Sequence, residues 1–284
     1  MTEARSEAND RVQRVAALAN EMIYDSEATR RYVQGAPHLK HASLRALYAT
    51  LAMRAYESVG YNGCPVEVLD LGAGEGSATR IFLELGARVT AVDVSSSQLE
   101  ALQQTCAGYA GLTVRQAEAM QVLRDLRAEG KRFGLIVALS FLHHIPDYLA
   151  LIREAHVLLQ DRGLFFSFQD PLRYDTLDSF TRSFGFMAYY SWRTLQGDLV
   201  AGAQRRLRRS RGIYHEESPE DNAEYHVIRG GVDQDAIAAL FAGLGCRCEI
   251  VRYFSTQSGL WQTLGARMGL KNTFAVLAEV DSVP

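Results

Sequence analysis

After Gly60 the chain alternates short β-rich runs with amphipathic helical stretches, and this alternation is what most restricts its fold. The runs are Val66 to Leu71, Val89 to Val94, Leu112 to Arg115, Gly134 to Leu139 and Leu164 to Phe168. Between them lie helical patterns at Gly76 to Leu85, Gln98 to Ala107 and Pro146 to Gln160, the last closed by Asp161-Arg162-Gly163. Strands that alternate with helices pair in parallel through right-handed crossovers, so the expected fold is a doubly covered α/β sheet. Past Asp170 the alternation stops, and it resumes with a helix at Asp233 to Leu244 and strands at Arg247 to Phe254 and Thr273 to Val280. Before Gly60, Leu44, Leu47, Tyr48, Leu51, Ala52 and Tyr56 recur at helical spacing. The predicted organisation is an N-terminal helical segment (1–60), a core (61–170), an inserted helical cap (171–231) and a C-terminal return to the core (232–284).

Composition excludes several classes of partner. A formal net charge of -3 gives no general attraction to phosphate backbones or anionic lipid, so no nucleic acid and no membrane is expected. The N-terminus MTEARSEANDR mixes acids with bases where a secretory signal needs a basic start and an apolar core. The expected location is therefore cytoplasmic. Cys64, Cys106, Cys246 and Cys248 are too scattered for a disulfide framework or a zinc site, so no metal is expected. Nothing in the composition decides against a homo-oligomer.

Val66 to Ser77 reads as an apolar strand, Val66-Glu67-Val68-Leu69-Asp70-Leu71, running into the glycine-rich turn Gly72-Ala73-Gly74-Glu75-Gly76 that opens a helix. Glycines there let a ligand approach the backbone. The next strand ends in Asp93-Val94, which sets a carboxylate beside that turn at the C-terminal edge of the sheet, placed to grip ribose hydroxyls. A dinucleotide site would need its third glycine one residue later than Gly76, and Asp70 would repel a pyrophosphate but suit an ammonium group.

With these residues the sequence resembles the class I S-adenosylmethionine (SAM)-dependent methyltransferases, over roughly Val66 to Asp170. Asp70, Gly72, Gly74 and Gly76 match the family's first motif, Asp93 matches its ribose-binding acid, and Val94 follows it. Glu118-Ala119 fall where the family has an acid, usually Asp, and a small residue beside the adenine. Phe133 to Val137, Leu139 and Leu142-His143-His144-Ile145-Pro146-Asp147 are similar to the fourth-strand motif of the ubiquinone-methyltransferase-like branch, with Gly134 in place of a common aspartate. The resemblance implies a Rossmann-like seven-stranded, mostly parallel sheet with a reversed last strand, SAM as cofactor and S-adenosylhomocysteine (SAH) as product.

Methyl transfer needs a nucleophile held in line with the sulfonium and, for a hydroxyl, a proton acceptor. His143 and His144 are the candidate bases and His226 the runner-up, against the alternative that the pair only packs in the turn. Tyr24, Tyr32 and His38 of the N-terminal segment, and Phe186, Tyr189, Tyr190, Trp192 and His215 of the cap, are candidate acceptor contacts, with packing or solvation as the alternative. The run Gln204 to Arg211 either draws an anionic acceptor or is a solvated helix end. The expected reaction is O- or C-methylation of an aromatic or glycosylated small molecule. N-methylation of an amine, a SAM-binding relative that catalyses cyclisation, and an NAD-binding module are the rivals.

Overall fold

The structure is a computed structural model that describes residues 2–25, 36–60, 64–196, 208–209, 211–215 and 218–281. Helix α1 (Thr2–Tyr24), the turn α2 (Pro37–Lys40) and α3 (Ala42–Ser58) precede the sheet. The core then runs β1 (Glu67–Leu71), α4 (Ser77–Glu84), β2 (Arg88–Asp93), α5 (Ser96–Thr105), β3 (Leu112–Gln116), α6 (Ala119–Ala128), β4 (Phe133–Leu139), α7 (Tyr148–Val157) and β5 (Leu159–Pro171). After α8 (Ser179–Gln196), α9 (Pro219–Asn222) and α10 (Tyr225–Arg229), the chain closes with α11 (Gln234–Gly243), β6 (Cys246–Tyr253), α12 (Gly259–Arg267) and β7 (Thr273–Val280). The sheet has seven strands in the order β3-β2-β1-β4-β5-β7-β6, and β7 is antiparallel to both its neighbours. This is the expected seven-stranded arrangement with its last strand reversed.

Both sheet faces are covered, which is why β4 and β5 read as near-continuous apolar runs rather than alternating ones. One face buries Leu69, Leu71, Ile136 and Phe165 against α6, α7 and α11, through Leu123, Leu126, Leu151, Ile152 and Phe241. The other buries Val68, Leu135, Val137, Phe166 and Phe168 against α3 and α4, through Leu44, Tyr48, Leu51 and Phe82. Fully burying each such side chain contributes about 1.5–3 kcal/mol, so the two layers fix the strand order and with it the upper sheet edge.

The structure departs from the sequence reading beyond α7. The helix ends at Val157, and Leu159 already pairs with Phe133 on β4. Leu164 pairs with Leu135, so residues 160–163 bulge out of the ladder, with Arg162 at φ 60°. The turn residues Asp161-Arg162-Gly163 thus shape a bulge inside β5 instead of ending a helix.

The stretch after β5 leaves and returns at one point. Leu172 and Val232 form a parallel bridge, Val232 N–H donates to Pro171 O at 2.9 Å, and Tyr174 N–H donates to Gly230 O at 2.8 Å. Gly231 makes this closure, at φ 83°, where an added Cβ would lie 2.2 Å from the Leu172 carbonyl oxygen. A backbone atom cannot yield as a side chain can. Gly231→Ala is therefore expected to destabilise the chain by about 2–4 kcal/mol, from the left-handed backbone plus the overlap. Urea unfolding followed by circular dichroism checks this, and a loss below half that range would place the closure elsewhere.

Candidate active site

The C-terminal ends of β1, β2 and β4 open into a cavity with about 1150 Å³ of empty space, its solvent-facing mouth included. The sheet edge supplies its floor: Gly72, Ala73 and Gly74 after β1, Asp93 and Val94 after β2, Ala117, Glu118 and Ala119 after β3, and Leu139, Ser140 and Phe141 after β4. Helix α1 supplies its roof through Gln13, Ala16, Ala17, Asn20 and Tyr24, and the α2 segment adds His38 and Leu39.

Asp93 organises the floor. Its Oδ2 accepts the Gly74 N–H at 2.9 Å and its Oδ1 accepts the Ser95 N–H at 2.9 Å. Burial raises its pKa against these bonds. Gly74 stands at φ 53°, and a Cβ there would meet only Gln98 Oε1, at 3.8 Å, so the space above its backbone is free for a ligand. Gly76 differs: it lies under the turn, where a Cβ would be 3.0 Å from Leu102 Cγ of α5, and it does not line the cavity. It is a helix-packing position rather than the cofactor contact expected from the motif.

Asp70 also sits beneath the floor, fully buried, accepting Thr79 Oγ1 at 2.6 Å through Oδ2. Its Oδ1 has no hydrogen-bond partner among the described residues, and burial pushes its pKa up to about 7. Glu118 lines the cavity and also caps α6, accepting the Gln121 N–H at 2.9 Å through Oε2.

The histidine pair occupies a single turn of 3₁₀ helix, Leu142–His144. The two rings lie 4.1 Å apart between centroids, tilted by 40°, and have different partners. The His143 N–H and ring Nδ1 both lie on Asp170 Oδ1, at 3.0 and 2.8 Å, and His143 does not line the cavity. His144 does, and its Nδ1 lies on the carbonyl oxygen of Ala223. A carbonyl only accepts, so Nδ1 carries the proton and Nε2 presents a lone pair. Tyr24 donates its hydroxyl to that lone pair at 3.3 Å. Burial lowers the pKa of His143 and His144 to about 3, and the ring stays neutral at physiological pH.

The other expected acceptor contacts separate. Tyr24 and His38 line the cavity, and Tyr32 lies outside the described residues. Phe186, Tyr189, Tyr190 and Trp192 of α8 do not line it. Phe186 packs against Tyr190 with the rings tilted by 47° and is 46% exposed, while Arg193 lies over the rings of Tyr189 and Trp192. The buried aromatic of this helix, Phe184, packs on Phe254 and Trp261. His215 is exposed, and His226 Nε2 lies on the carbonyl oxygens of Ile145 and Pro146, at 3.0 and 3.1 Å, so it braces the loop rather than facing the cavity.

Sequence reasoning placed Tyr24 and His38 of the N-terminal segment at the site but missed what anchors this roof. Asp25, just past α1, accepts Ser95 Oγ at 2.6 Å and the Ser97 N–H at 3.1 Å, and Ser97 Oγ donates to Tyr24 O at 3.1 Å. These bonds tie α1 to the first turn of α5. The small residues Ala16, Ala17, Ala19 and Asn20 are the available signal, since such a stripe permits close approach of a helix to what lies under it.

Residues 69–165 match the family described as "Methyltransferase domain". A ubiquinone biosynthesis O-methyltransferase from Actinobacillus pleuropneumoniae serotype 7 is 32% identical over 105 residues, 36% of this chain and 44% of that protein. One from Methylobacterium sp. (strain 4-46) is 31% identical over 100 residues, 35% and 39% of the two chains. The chain thus spans less than half the length of these curated relatives. Among solved structures, the plantazolicin methyltransferase BpumL in complex with SAH superposes with TM-score 0.55 at 13% identity, over 97% of this chain and 99% of that one. Magnesium protoporphyrin IX methyltransferase from Synechocystis PCC 6803, with bound SAM, gives 0.54 at 12% identity, over 94% and 97%. Over residues 69–165 the chain is thus similar to a methyltransferase domain and to the ubiquinone biosynthesis O-methyltransferases, and its fold is the one seen in these solved methyltransferases.

Proposed function

We propose that the chain is a SAM-dependent methyltransferase that transfers a methyl group to a hydroxyl oxygen of a small molecule. The observation that carries this reading is the unprotonated Nε2 of His144 in the same cavity as Asp93 and the Gly74 turn. The names of the ubiquinone biosynthesis O-methyltransferase relatives favour oxygen as the target. The roof made by α1 favours a small acceptor, because a cover over the sheet edge narrows the access that a polymer would need.

The residues present fit SAM. Asp93 at the end of β2 can accept both ribose hydroxyls while Gly74 leaves room for the ligand above its backbone. The buried Oδ1 of Asp70, which has no hydrogen-bond partner among the described residues, is an acceptor under the turn that suits an ammonium group. Glu118 and Ala119 stand at the adenine end. SAM, when bound, supplies an electrophilic methyl on a sulfonium. His144 then accepts the acceptor's hydroxyl proton at Nε2, in the place now taken by the Tyr24 hydroxyl. Transfer moves one positive charge from sulfur to oxygen, so protonating His144 adds no net charge to the pocket. That balance lets a histidine with a low resting pKa serve as the base.

SAH is expected to bind at micromolar concentration and Asp93→Ala to lose about tenfold to a hundredfold in affinity, since charge-assisted hydrogen bonds contribute about 1.5–3 kcal/mol each. Calorimetry decides, and unchanged affinity removes Asp93 from the ribose. Incubating the chain with SAM and a panel of hydroxylated aromatics should give methyl ethers together with SAH. SAH-free conversion, or preference for NAD over SAM, refutes the reading.

Gly74→Val should abolish SAH binding, because the branched side chain fills the ligand's space, and should also lower the melting temperature, because a branched residue is strained at φ 53°; circular dichroism below that temperature checks that the variant is folded when binding is measured. Retained binding would make the turn purely structural.

Acid stability gives an independent check on His144. Its folded pKa of about 3 lies below the ordinary 6.5, so only the unfolded chain gains a proton as pH falls from 6.5 towards 3. The stability held above pH 6.5 is therefore lost across that window. His144→Gln removes this loss, so the melting temperature of the variant should gain on the parent as pH drops from 7 to 4, in parallel thermal melts. A constant difference would mean that His144 is charged in the folded state.

A further inference from the structure

Of the local basic run, Arg208, Arg209 and Arg211 are among the described residues; none of them lines the cavity, and Arg208 and Arg209 converge on one carboxylate instead. Asp221 has a fully buried side chain that meets Arg208 at 2.6 Å and Arg209 at 2.8 Å, and its Oδ2 accepts the His215 N–H at 2.9 Å. From the opposite side Arg229, which lies over the rings of Tyr214 and Tyr225, donates to the Asp221 carbonyl oxygen at 2.6 Å. The short helix α9 is therefore held through its third residue by three guanidinium groups. Ala223, which caps α9 and is 2% exposed, turns its carbonyl onto His144 Nδ1.

An imidazole left to itself favours the Nε2–H form, which would present a donor to the cavity where methyl transfer to a hydroxyl needs an acceptor. The ring's tautomer is set by the partner of its other nitrogen. That partner is a backbone carbonyl, which no side chain of its own can aim. Its direction depends on whatever anchors the turn, and the buried anchor is the Asp221 cluster. A side-chain carboxylate with no exposed surface, matched by charged donors on two sides, gives the turn one orientation.

We propose that Asp221, clamped by Arg208 and Arg209, is a positioning residue that fixes His144 as the Nδ1–H tautomer through the Ala223 carbonyl. The proposal rests on the reading of His144 as the proton acceptor, and it gives the arginine run a role inside the protein.

The test reads the tautomer directly and needs no acceptor. Long-range proton–nitrogen correlation spectra of the ¹⁵N-labelled full chain report both ring nitrogens of His144, assigned by their loss in His144→Gln. The parent should show Nδ1 protonated and Nε2 bare. In Asp221→Asn the ratio of Nδ1–H to Nε2–H should fall by about fivefold or more, the worth of one neutral hydrogen bond. Arg209→Gln, which removes one leg of the clamp from a partly exposed position, should act in the same direction and carries the test if Asp221→Asn does not fold. A parent in the Nε2–H form, or a folded Asp221→Asn or Arg209→Gln with the parent's ratio, overturns the proposal. SAH calorimetry on the same samples keeps the two readings apart. Failure of the parent to bind SAH sinks the methyltransferase reading while the tautomer still decides this one, and SAH binding with an unmoved tautomer does the reverse.

Discussion

Much of the upper sheet edge depends on Ser95, the residue two beyond the acid at the end of β2. Its N–H donates to Asp93, its hydroxyl accepts the Gln98 N–H as the cap of α5, and the same hydroxyl donates to Asp25 beyond α1. One fully buried serine thereby joins the glycine turn, through Asp93 and Gly74, to α5 and to the roof. Each bond is modest, about 1 kcal/mol net, but together they remove the alternative arrangements of three elements at once. The cavity floor and its cover share a single hydrogen-bonded seam.

How far the chain could be read before its structure was known follows from where each signal lives. The strands and most crossover helices are legible because burial on one or both faces writes a period into the sequence, and the glycine turn is legible because its backbone needs are local. β5 was misread at its start because Asp161-Arg162-Gly163 serves a helix end and a bulge equally well. The aromatic stripe of α8 shows an amphipathic helix but not its neighbour, which is the Phe254 and Trp261 region rather than the cavity. The Tyr24–His144 and His144–Ala223 contacts join residues far apart in sequence, and nothing local encodes them. The arginine run could be read as charge, yet its partner Asp221 is visible only once the chain has folded.

The polar groups under the site follow a common electrostatic rule. His143 and His144 are held neutral by burial, while Asp70, Asp170 and Glu224 are pushed up to about 7 by the same cause. Burial disfavours charge of either sign, so these five groups are held towards their neutral forms. His143 and Asp170 meet by hydrogen bonding across two strand ends instead of as a full ion pair.

The Leu172–Val232 bridge has a consequence for how such a chain can change over time. Because the stretch between departs from and rejoins the framework at one pair of residues, its length is nearly decoupled from the sheet. Doubling a flexible connection costs only about 0.6 kcal/mol in closure entropy. Insertions, deletions or wholesale replacement there leave strand order and register untouched so long as the closing glycine and the turn that reaches His144 survive. In evolutionary terms the bridge is a socket: the framework keeps one inventory of parts while the piece plugged into it is free to be exchanged.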